Sequence, residues 1–342
     1  AYISKHSIEK VYEAARIEEV IQDFIELKPA GVNLKGLSPF VNEKTPSFIV
    51  SKVKQIYKDF SSGKGGNVVN FLMESQQMSY PEAIEYLSKR YNIELEYENA
   101  EIAEKKKVQA EKKESLRSVL TKVHEMYIAE FKKLSNNHAA KEEIYNHREY
   151  TDDEIIEWGI GFAPENFLYD KLESSGRLSQ GSDLGLVKVG NYGNKYDQYS
   201  NRIIYPIHND RGLLIGFAGR ALNTSKKAKW INPDVNDANI LYQKAYTWFG
   251  MHKAKRAIVE HKEAFIVEGY NDVIAFHKMG VLNTIAPCGT NIPESLWKIL
   301  RKYTDKVVFC MDPDKAGTAA VLKQIPICLE LGFRVDVIQL PG

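Results

Sequence analysis

Three carboxylates near the C-terminal end are placed to do chemistry together. Glu268 leaves the apolar run Ala264-Phe265-Ile266-Val267, and Asp312 and Asp314 leave the run Lys306-Val307-Val308-Phe309-Cys310-Met311. Short stretches of β-branched and aromatic residues read as buried strands, and the Gly269 and Pro313 that come next read as the turns ending them. In a parallel α/β sheet the C-terminal strand ends share one edge, where ligands bind, so the three acids converge there. In an extended Asp-Pro-Asp both acidic side chains point to one side. A donor set made only of oxygen suits Mg²⁺, which is held by a few carboxylates plus substrate phosphates. The chemistry within reach is metal-dependent phosphoryl transfer. One such acid alone would read as an ordinary strand-end turn residue.

The elements that must position these acids follow from the pattern around them. From Ala264 onward strand-like and helix-like stretches alternate over 264–268, 272–279, 282–286, 293–301, 306–311, 316–330 and 333–339, the signature of an α/β sheet. Asp272 opens the first of these helices. Upstream, 160–248 is mixed, with strand-like runs at Arg202–His208 and 213–217. At the other end, residues 7–28 repeat apolar positions at helical spacing with Ser7 as the N-cap, and 32–60 breaks into short strands. The turn Gly63-Lys64-Gly65-Gly66 precedes a helix capped by Asn67, and it lacks the spacing of a P-loop. A further helix runs over 81–91. Between 97 and 116, Lys105, Lys106, Lys107, Lys112 and Lys113 mix with Glu98, Glu101, Glu104, Glu111 and Glu114, which reads as a solvated helix or linker.

Composition narrows the class. The chain has 342 residues, 44% of them hydrophobic, enough for two or three domains, and a net charge of +1 that says nothing by itself about nucleic acid. Cys288, Cys310 and Cys328 lie in apolar runs without any Cys-x₂-Cys pair, which excludes a disulfide framework and a thiolate zinc site. No stretch approaches the roughly 20 apolar residues of a membrane span, and no signal-peptide core is present, so a cytoplasmic protein that does not engage membranes is expected.

Glu268-Gly269-Tyr270-Asn271-Asp272 followed by Asp312-Pro313-Asp314 resembles the TOPRIM module shared by bacterial primases, type I and II topoisomerases and some nucleases. Two further regions choose among them. Leu37-Ser38-Pro39-Phe40-Val41-Asn42-Glu43-Lys44-Thr45-Pro46-Ser47-Phe48 resembles the N-terminal signature of DnaG-type primases. Ile160-Gly161-Phe162-Ala163-Pro164, Arg202-Ile203-Ile204-Tyr205-Pro206 and Ile215-Gly216-Phe217-Ala218-Gly219-Arg220 resemble the primase RNA polymerase core. The resemblance covers nearly the whole length in the family's order. It implies a multidomain α+β and α/β fold. A small zinc-ribbon-like domain without zinc occupies 1–97, a charged linker 98–116, a mixed α+β polymerase subdomain 117–245, and a TOPRIM α/β sheet, incomplete at its C-terminal end, 246–342. It also implies that a later acidic motif, a helical bundle and a helicase-binding domain would follow Gly342, so contact with a replicative helicase is expected there.

The implied activity is that of a DNA-directed RNA polymerase, a nucleotidyltransferase that builds short RNA primers on a single-stranded DNA template from NTPs during DNA replication. Mg²⁺ or Mn²⁺ is the implied cofactor, with Glu268, Asp312 and Asp314 catalytic and joined by Asp272 as metal ligands. Asp272 has two other readings, a residue supporting the ligands or a helix cap. Arg148, Arg202, Arg220, Lys229, Asn232 and Lys244 align with the family's nucleotide- and nucleic-acid-binding positions. Two arginines common in the family ahead of Arg202 are absent, because the chain reads Asp197-Gln198-Tyr199-Ser200-Asn201. Gly289-Thr290 resembles a loop of the TOPRIM fold. The competing readings are a TOPRIM nuclease or topoisomerase and a non-catalytic DNA-binding scaffold.

The largest departure from the family lies in the N-terminal ribbon. The usual Cys-x₂-His and Cys-x₂-Cys ligands are replaced by Ser38, Val41, Asp59 and Ser62, and Val41 offers a metal nothing. No zinc is expected there, so the ribbon must rest on packing, with Phe40, Val41, Phe48, Ile56, Tyr57 and Phe60 as the candidates; Ser38 and Asp59 could also share a buried hydrogen bond, which nothing else in the sequence supports. Lys44, Lys52, Lys54, Lys58 and Lys64 could retain nucleic-acid contact, with Tyr57 and Phe60 read either as core or as base-stacking platforms.

Overall fold

The first helix begins at Ser4 rather than Ser7. The Ser4 hydroxyl accepts the Ser7 N–H at 3.2 Å and caps α1 (Lys5–Ala14), while Ser7 is buried and its own hydroxyl accepts the Glu96 N–H at 2.8 Å. The single helix expected over 7–28 is broken. Ala15 and Arg16 adopt extended backbone, and α2 (Ile17–Gln22) starts anew with its Ile17 N–H donated to Gln55 Oε1 at 2.9 Å.

The computed structural model describes residues 3–97, 100–190, 193–222, 228–289, 291–311 and 315–338, so Asp312, Asp314 and Thr290 lie outside the described residues. The chain forms two units, Ala1–Ala110 and Glu111–Gly342.

The first unit adds to α1 and α2 an antiparallel sheet in the order β1 (Lys28–Ala30), β2 (Asn33–Gly36), β3 (Phe48–Ser51), β4 (Ile56–Asp59) and β5 (Gly65–Gly66), followed by α3 (Val68–Ser75) and α4 (Tyr80–Arg90). Burial alternates along β3 and β4, which puts Phe48, Val50, Tyr57 and Asp59 inside and Ile56 and Lys58 outside. Phe48 stacks on Tyr57 with ring centroids 5.2 Å apart, and Phe71 of α3 meets both edge-on. Asn67 caps α3 by accepting the Asn70 N–H at 3.0 Å, and Gly63 takes φ +75 in the turn before it, a conformation glycine adopts without strain.

The second unit is entered along α5 (Ala100–Lys133), so the charged segment read as a solvated helix or linker is helical from Ala100. From Leu116 the helix turns apolar at helical spacing, and Leu116, Val119, Leu120, Val123, Tyr127 and Phe131 are buried. There follow α6 (Ala139–Lys141), a π-helical turn Glu142–His147, α7 (Asp152–Trp158), β6 (Gly161–Ala163), α8 (Tyr169–Ser174), α9 (Leu178–Asp183) and the β7 (Val187–Val189)–β8 (Lys195–Asp197) hairpin. Next come β9 (Arg202–His208), β10 (Leu214–Ala221) and β11 (Trp230–Ile231), which with β6 make an antiparallel sheet in the order β11-β10-β9-β6.

After a 3₁₀ turn (Lys244–Tyr246) the α/β alternation appears as expected: β12 (Trp248–Phe249), α10 (Met251–His261), β13 (Ala264–Val267), α11 (Tyr270–Lys278), β14 (Thr284–Pro287), α12 (Glu294–Leu300), β15 (Lys306–Cys310), α13 (Lys315–Glu330) and β16 (Arg334–Val337). The sheet order is β12-β14-β13-β15-β16, with β12 antiparallel to β14 and the other pairings parallel. Alternate residues of the central strands line two different cores. Ala264, Ile266, Val307 and Phe309 face Met251, Ile258, Leu296 and Trp297 of α10 and α12. Val267, Val308 and Cys310 join Val273 and Ile274 of α11 in a core shared with α5, α7 and the four-stranded sheet. Each Val, Ile, Leu, Met or Phe among them contributes about 1.5–3 kcal/mol on burial. This shared core makes one unit of the polymerase and TOPRIM subdomains that the sequence suggests as 117–245 and 246–342. Among the described residues no helix is long and apolar enough to cross a membrane.

Candidate active site

β13 ends at Val267, and the residue that follows, Glu268, is exposed. Its neighbour β15 pairs Cys310 with Val267 in parallel register and ends at that level. From β13 the chain crosses to β14 on one side, then passes back to β15 and β16 on the other, so strand order reverses between β13 and β15. In open α/β sheets a ligand binds outside the carboxyl ends of the strands at such a reversal. Glu268 therefore stands at the mouth of the crevice the topology creates. Asp312 and Asp314 follow the end of β15 in sequence and lie outside the described residues.

The three residues after Gly269 are each fixed differently. Tyr270 is buried, its ring 4.5 Å from that of Phe249, and its hydroxyl donates to Asn232 Oδ1. Asn271 Oδ1 accepts a hydrogen bond of 3.0 Å from the Tyr150 hydroxyl. Asp272 Oδ2 accepts the Gly269 N–H at 2.9 Å, the carboxylate half of a helix cap beside the positive end of α11. This is the cap reading of Asp272.

Two of the expected binding residues reach the same sheet edge from the exit of β14. Asn232 Nδ2 donates to the Cys288 carbonyl at 3.1 Å, so its amide is held on both sides and ties the end of β11 to the end of β14. Lys244 is exposed and lies against Gly289, where a Cβ would come within 2.7 Å of Nζ; Gly289 has φ +153, so glycine keeps the room that Lys244 uses. Cys288 and Cys310 are buried, and burial pushes both thiols up to about 11, which leaves them unreactive.

The arginines divide into two kinds. Arg148 Nε and Arg220 Nη2 each lie 2.9 Å from the same atom, Glu143 Oε1, and Arg220 also stacks over Trp230 at 5.7 Å. Burial acts to raise the Glu143 carboxyl, but the bonds from Arg148 and Arg220 outweigh it and hold the group below the usual carboxylate range. Arg202, expected to reach phosphate, is 2% exposed instead, and its Nη1 donates to the carbonyls of Gly219 at 3.0 Å and Ala228 at 2.9 Å. It braces the β9–β10 ladder because it opens a strand whose residues are buried up to Ile207. Lys229 is exposed beside it, its carbonyl accepting the Ala221 N–H. In the stretch that lacks the family's arginines, Asp197 accepts the N–H groups of Phe167, Leu168 and Tyr169. Glu143 and Tyr150 carry no motif that marks them as site residues.

In the ribbon, the four positions where the family has metal ligands are drawn together around a carboxylate. Asp59 is 0% exposed, and its Oδ2 accepts from the Ser38 hydroxyl at 2.9 Å, the Ser62 N–H at 3.1 Å and the Ser62 hydroxyl. Ser61 and Ser47 donate to Oδ1 at 3.1 and 3.2 Å. The Ser38 oxygen in turn accepts the N–H groups of Phe40 and Val41, and Glu43 accepts from the backbone of Ser38 and Ser47. The Val41 side chain carries no polar atom and is exposed.

Comparison with known proteins places the fold in a family. The chain matches three family descriptions in order: CHC2 zinc finger over residues 3–103, DNA primase catalytic core, N-terminal domain, over 126–255, and Toprim domain over 262–339. It is 33% identical to the DNA primase of Clostridium acetobutylicum over 99% of this chain and 55% of that protein. The chain thus spans about half the length of the curated relatives it matches. It is similar to the crystal structure of the Aquifex aeolicus primase (zinc binding and RNA polymerase domains), with TM-score 0.62, 30% identity, and coverage of 98% of this chain and 79% of that one. It also resembles the RNA polymerase domain of Mycobacterium tuberculosis primase DnaG, solved in complex with a double-stranded DNA oligomer with a 6-nucleotide overhang, with TM-score 0.58, 26% identity, and coverage of 67% and 73%. The ribbon, the polymerase core and the TOPRIM sheet are those of one lineage, and the chain belongs to the DnaG-type primase family.

Proposed function

We propose that this chain carries the catalytic part of a primase, which joins NTPs into a short RNA on a single-stranded DNA template. The observation that carries the reading is the placement of Glu268 at the β13/β15 reversal, with Lys244 and the Arg148–Arg220 pair reached from the same sheet edge and from the Tyr150–Asn271 contact beside it. Acids for a cation and cations for phosphate on one edge fit a substrate that is itself a metal-bound polyphosphate.

Glu268, Asp272, Asp312 and Asp314 are the residues that would hold Mg²⁺ or Mn²⁺, and their donors, all oxygen, suit a hard cation. Such a cation supplies charge neutralisation at the reacting phosphate and a more acidic attacking hydroxyl. The protein's own part is positioning and electrostatics. Glu268, exposed at the exit of β13, is the carboxylate that would accept a proton from the attacking 3′-hydroxyl. Arg148 and Arg220 offer planar N–H donors to phosphate oxygens, and Lys244 and Lys229 offer mobile point charges to the polyanion. Arg202 and Asn232 act one step back, by fixing the strands that carry these groups.

We further propose that the ribbon holds no zinc. The match to a zinc finger concerns its frame, whereas the donors differ: Asp59 is the one carboxylate among the four positions, and both of its oxygens are already filled by serine hydroxyls. Lys58 and the exposed Phe60 on the outer side of β4 are the better candidates for nucleic-acid contact.

The test is incubation of the protein with single-stranded DNA, four NTPs and Mg²⁺. Short RNA made from NTPs alone, lost by at least a hundredfold in Glu268→Gln, supports the reading, since one essential group commonly accounts for that much. Cleavage of the template would replace it with a nuclease, and binding without either reaction with a DNA-binding scaffold.

A further inference from the structure

Glu143 has no place in the proposed reaction, yet among the described residues it is the one acid paired with both Arg148 and Arg220. The π-helical turn explains the first contact. Its i→i+5 hydrogen bond, from the Arg148 N–H to the Glu143 carbonyl at 3.0 Å, sets residue 148 directly above residue 143, a spacing that an α-helix does not align. The second contact comes from β10, where Arg220 is held over Trp230 and only 13% of its side chain is exposed. The two guanidinium groups would repel each other if left alone at this range. A shared carboxylate oxygen offsets that repulsion and uses one N–H group of each guanidinium, out of the five that each carries.

We infer that Glu143 is a positioning residue, which clamps Arg148 and Arg220 side by side as one double fork for phosphate oxygens. The inference rests on the reading that these arginines meet the phosphates of an NTP or of the nucleic-acid backbone. It makes a prediction whose sign is opposite to that of simple charge. An acid that is only a neighbour opposes polyanion binding, so its removal raises affinity. An acid that aims two arginines supports binding, so its removal lowers affinity although the site becomes more positive.

The experiment measures binding of a fluorescent GTP analogue and, separately, of a labelled single-stranded oligothymidylate, each by anisotropy and at several salt concentrations. Glu143→Gln should weaken the ligand that uses the fork by about tenfold, the scale of one oriented charged hydrogen bond. Glu143→Asp keeps the charge but shortens the reach, and should weaken the same ligand; retention of wild-type affinity by Asp would mean that charge and not placement matters. In an Arg220→Ala background Glu143→Gln should add little, because the residue acts through the arginine. Unfolding midpoints for each variant separate loss of the fork from loss of the fold. If Arg148→Ala and Arg220→Ala weaken binding but Glu143→Gln strengthens it or leaves it unchanged, the clamp is wrong and the phosphate reading stands. If neither arginine variant changes binding of either ligand, the phosphate reading itself falls.

Discussion

The Tyr150 hydroxyl donates to Asn271 Oδ1 at 3.0 Å across 121 positions of sequence, and both residues are buried. It fastens the segment that follows Arg148 to the first turn of α11, the helix that begins just after Glu268. One hydrogen bond therefore links the arginine pair to the acidic strand exit.

Tyr150→Phe keeps the ring and removes only that donor, leaving Asn271 Oδ1 without its bond in a buried place. The expected loss is about 1–2 kcal/mol, the usual cost of one unsatisfied buried polar group. Thermal unfolding should show it as a midpoint lower by roughly 2–6 °C for a unit of this size. An unchanged midpoint would mean that the bond contributes nothing to holding α11.

The Asp59 cluster sets the acid limit of the ribbon. Burial acts to raise the Asp59 carboxyl, and the bonds from Ser62, Ser38 and Ser61 overcome it, so the folded value lies below the ordinary one. A group depressed in the folded state stabilises above its unfolded pKa, and that stability is lost as pH falls through the folded value. The first unit should therefore keep its full stability above about pH 4 and lose it below. Asp59→Asn should cost about 2 kcal/mol and flatten the acid limb of a pH titration followed by unfolding. Excess chelator should leave the wild-type midpoint where it was; a large drop would show that a metal, and not this cluster, holds the ribbon.

The sheet that presents Glu268 was legible because buried parallel strands are continuous apolar runs, as in 264–267 and 306–310, and because Gly and Pro mark their ends. The ribbon's replaced ligands were legible, whereas the Ser38–Asp59 bond was an option without support in the sequence and the five donors that meet on Asp59 were not legible at all. What escaped was decided by distant contacts. The break at Ala15 has no Gly or Pro to announce it; it is made by the Tyr91 hydroxyl and Gln55 Oε1, which take the N–H groups of Arg16 and Ile17. The role of Arg202 depends on the strand around it being buried, and that of Glu143 on a π-helical turn whose period no apolar pattern reveals.

A second acid-sensitive place lies in the larger unit. His208 and His252 face each other with ring centroids 4.7 Å apart. Burial, with the neighbouring charges of His124, Lys253 and His277, lowers His208 to about 4 and His252 to about 3. In the unfolded chain both titrate near the ordinary value of about 6.5. The unfolded state then binds more protons as pH falls below that value, so stability falls between about pH 6.5 and 4. His252→Leu should remove part of that slope while leaving the neutral-pH midpoint within a few degrees. A slope identical to wild type in this variant would assign it to other groups.

Tyr57 and Phe60, three residues apart in the ribbon, separate core from contact surface. Tyr57 is 1% exposed and stacks with Phe48, whereas Phe60 is 66% exposed just past the end of β4, with the exposed Lys58 on the same outward alternation of that strand. The two alanine substitutions should therefore fail in opposite assays. Tyr57→Ala empties a core position and should cost about 3–5 kcal/mol of stability. Phe60→Ala should leave the unfolding midpoint within about 0.5 kcal/mol, as expected of a surface change. If a base stacks on Phe60, the same substitution should weaken single-stranded DNA binding by about 1 kcal/mol or more, with the salt slope unchanged because no cation has been removed. Lys58→Ala should instead lower that slope. Equal DNA affinity in wild type and Phe60→Ala, measured with the ribbon intact by circular dichroism, would leave Phe60 without a role in template contact and shift that role to the lysines.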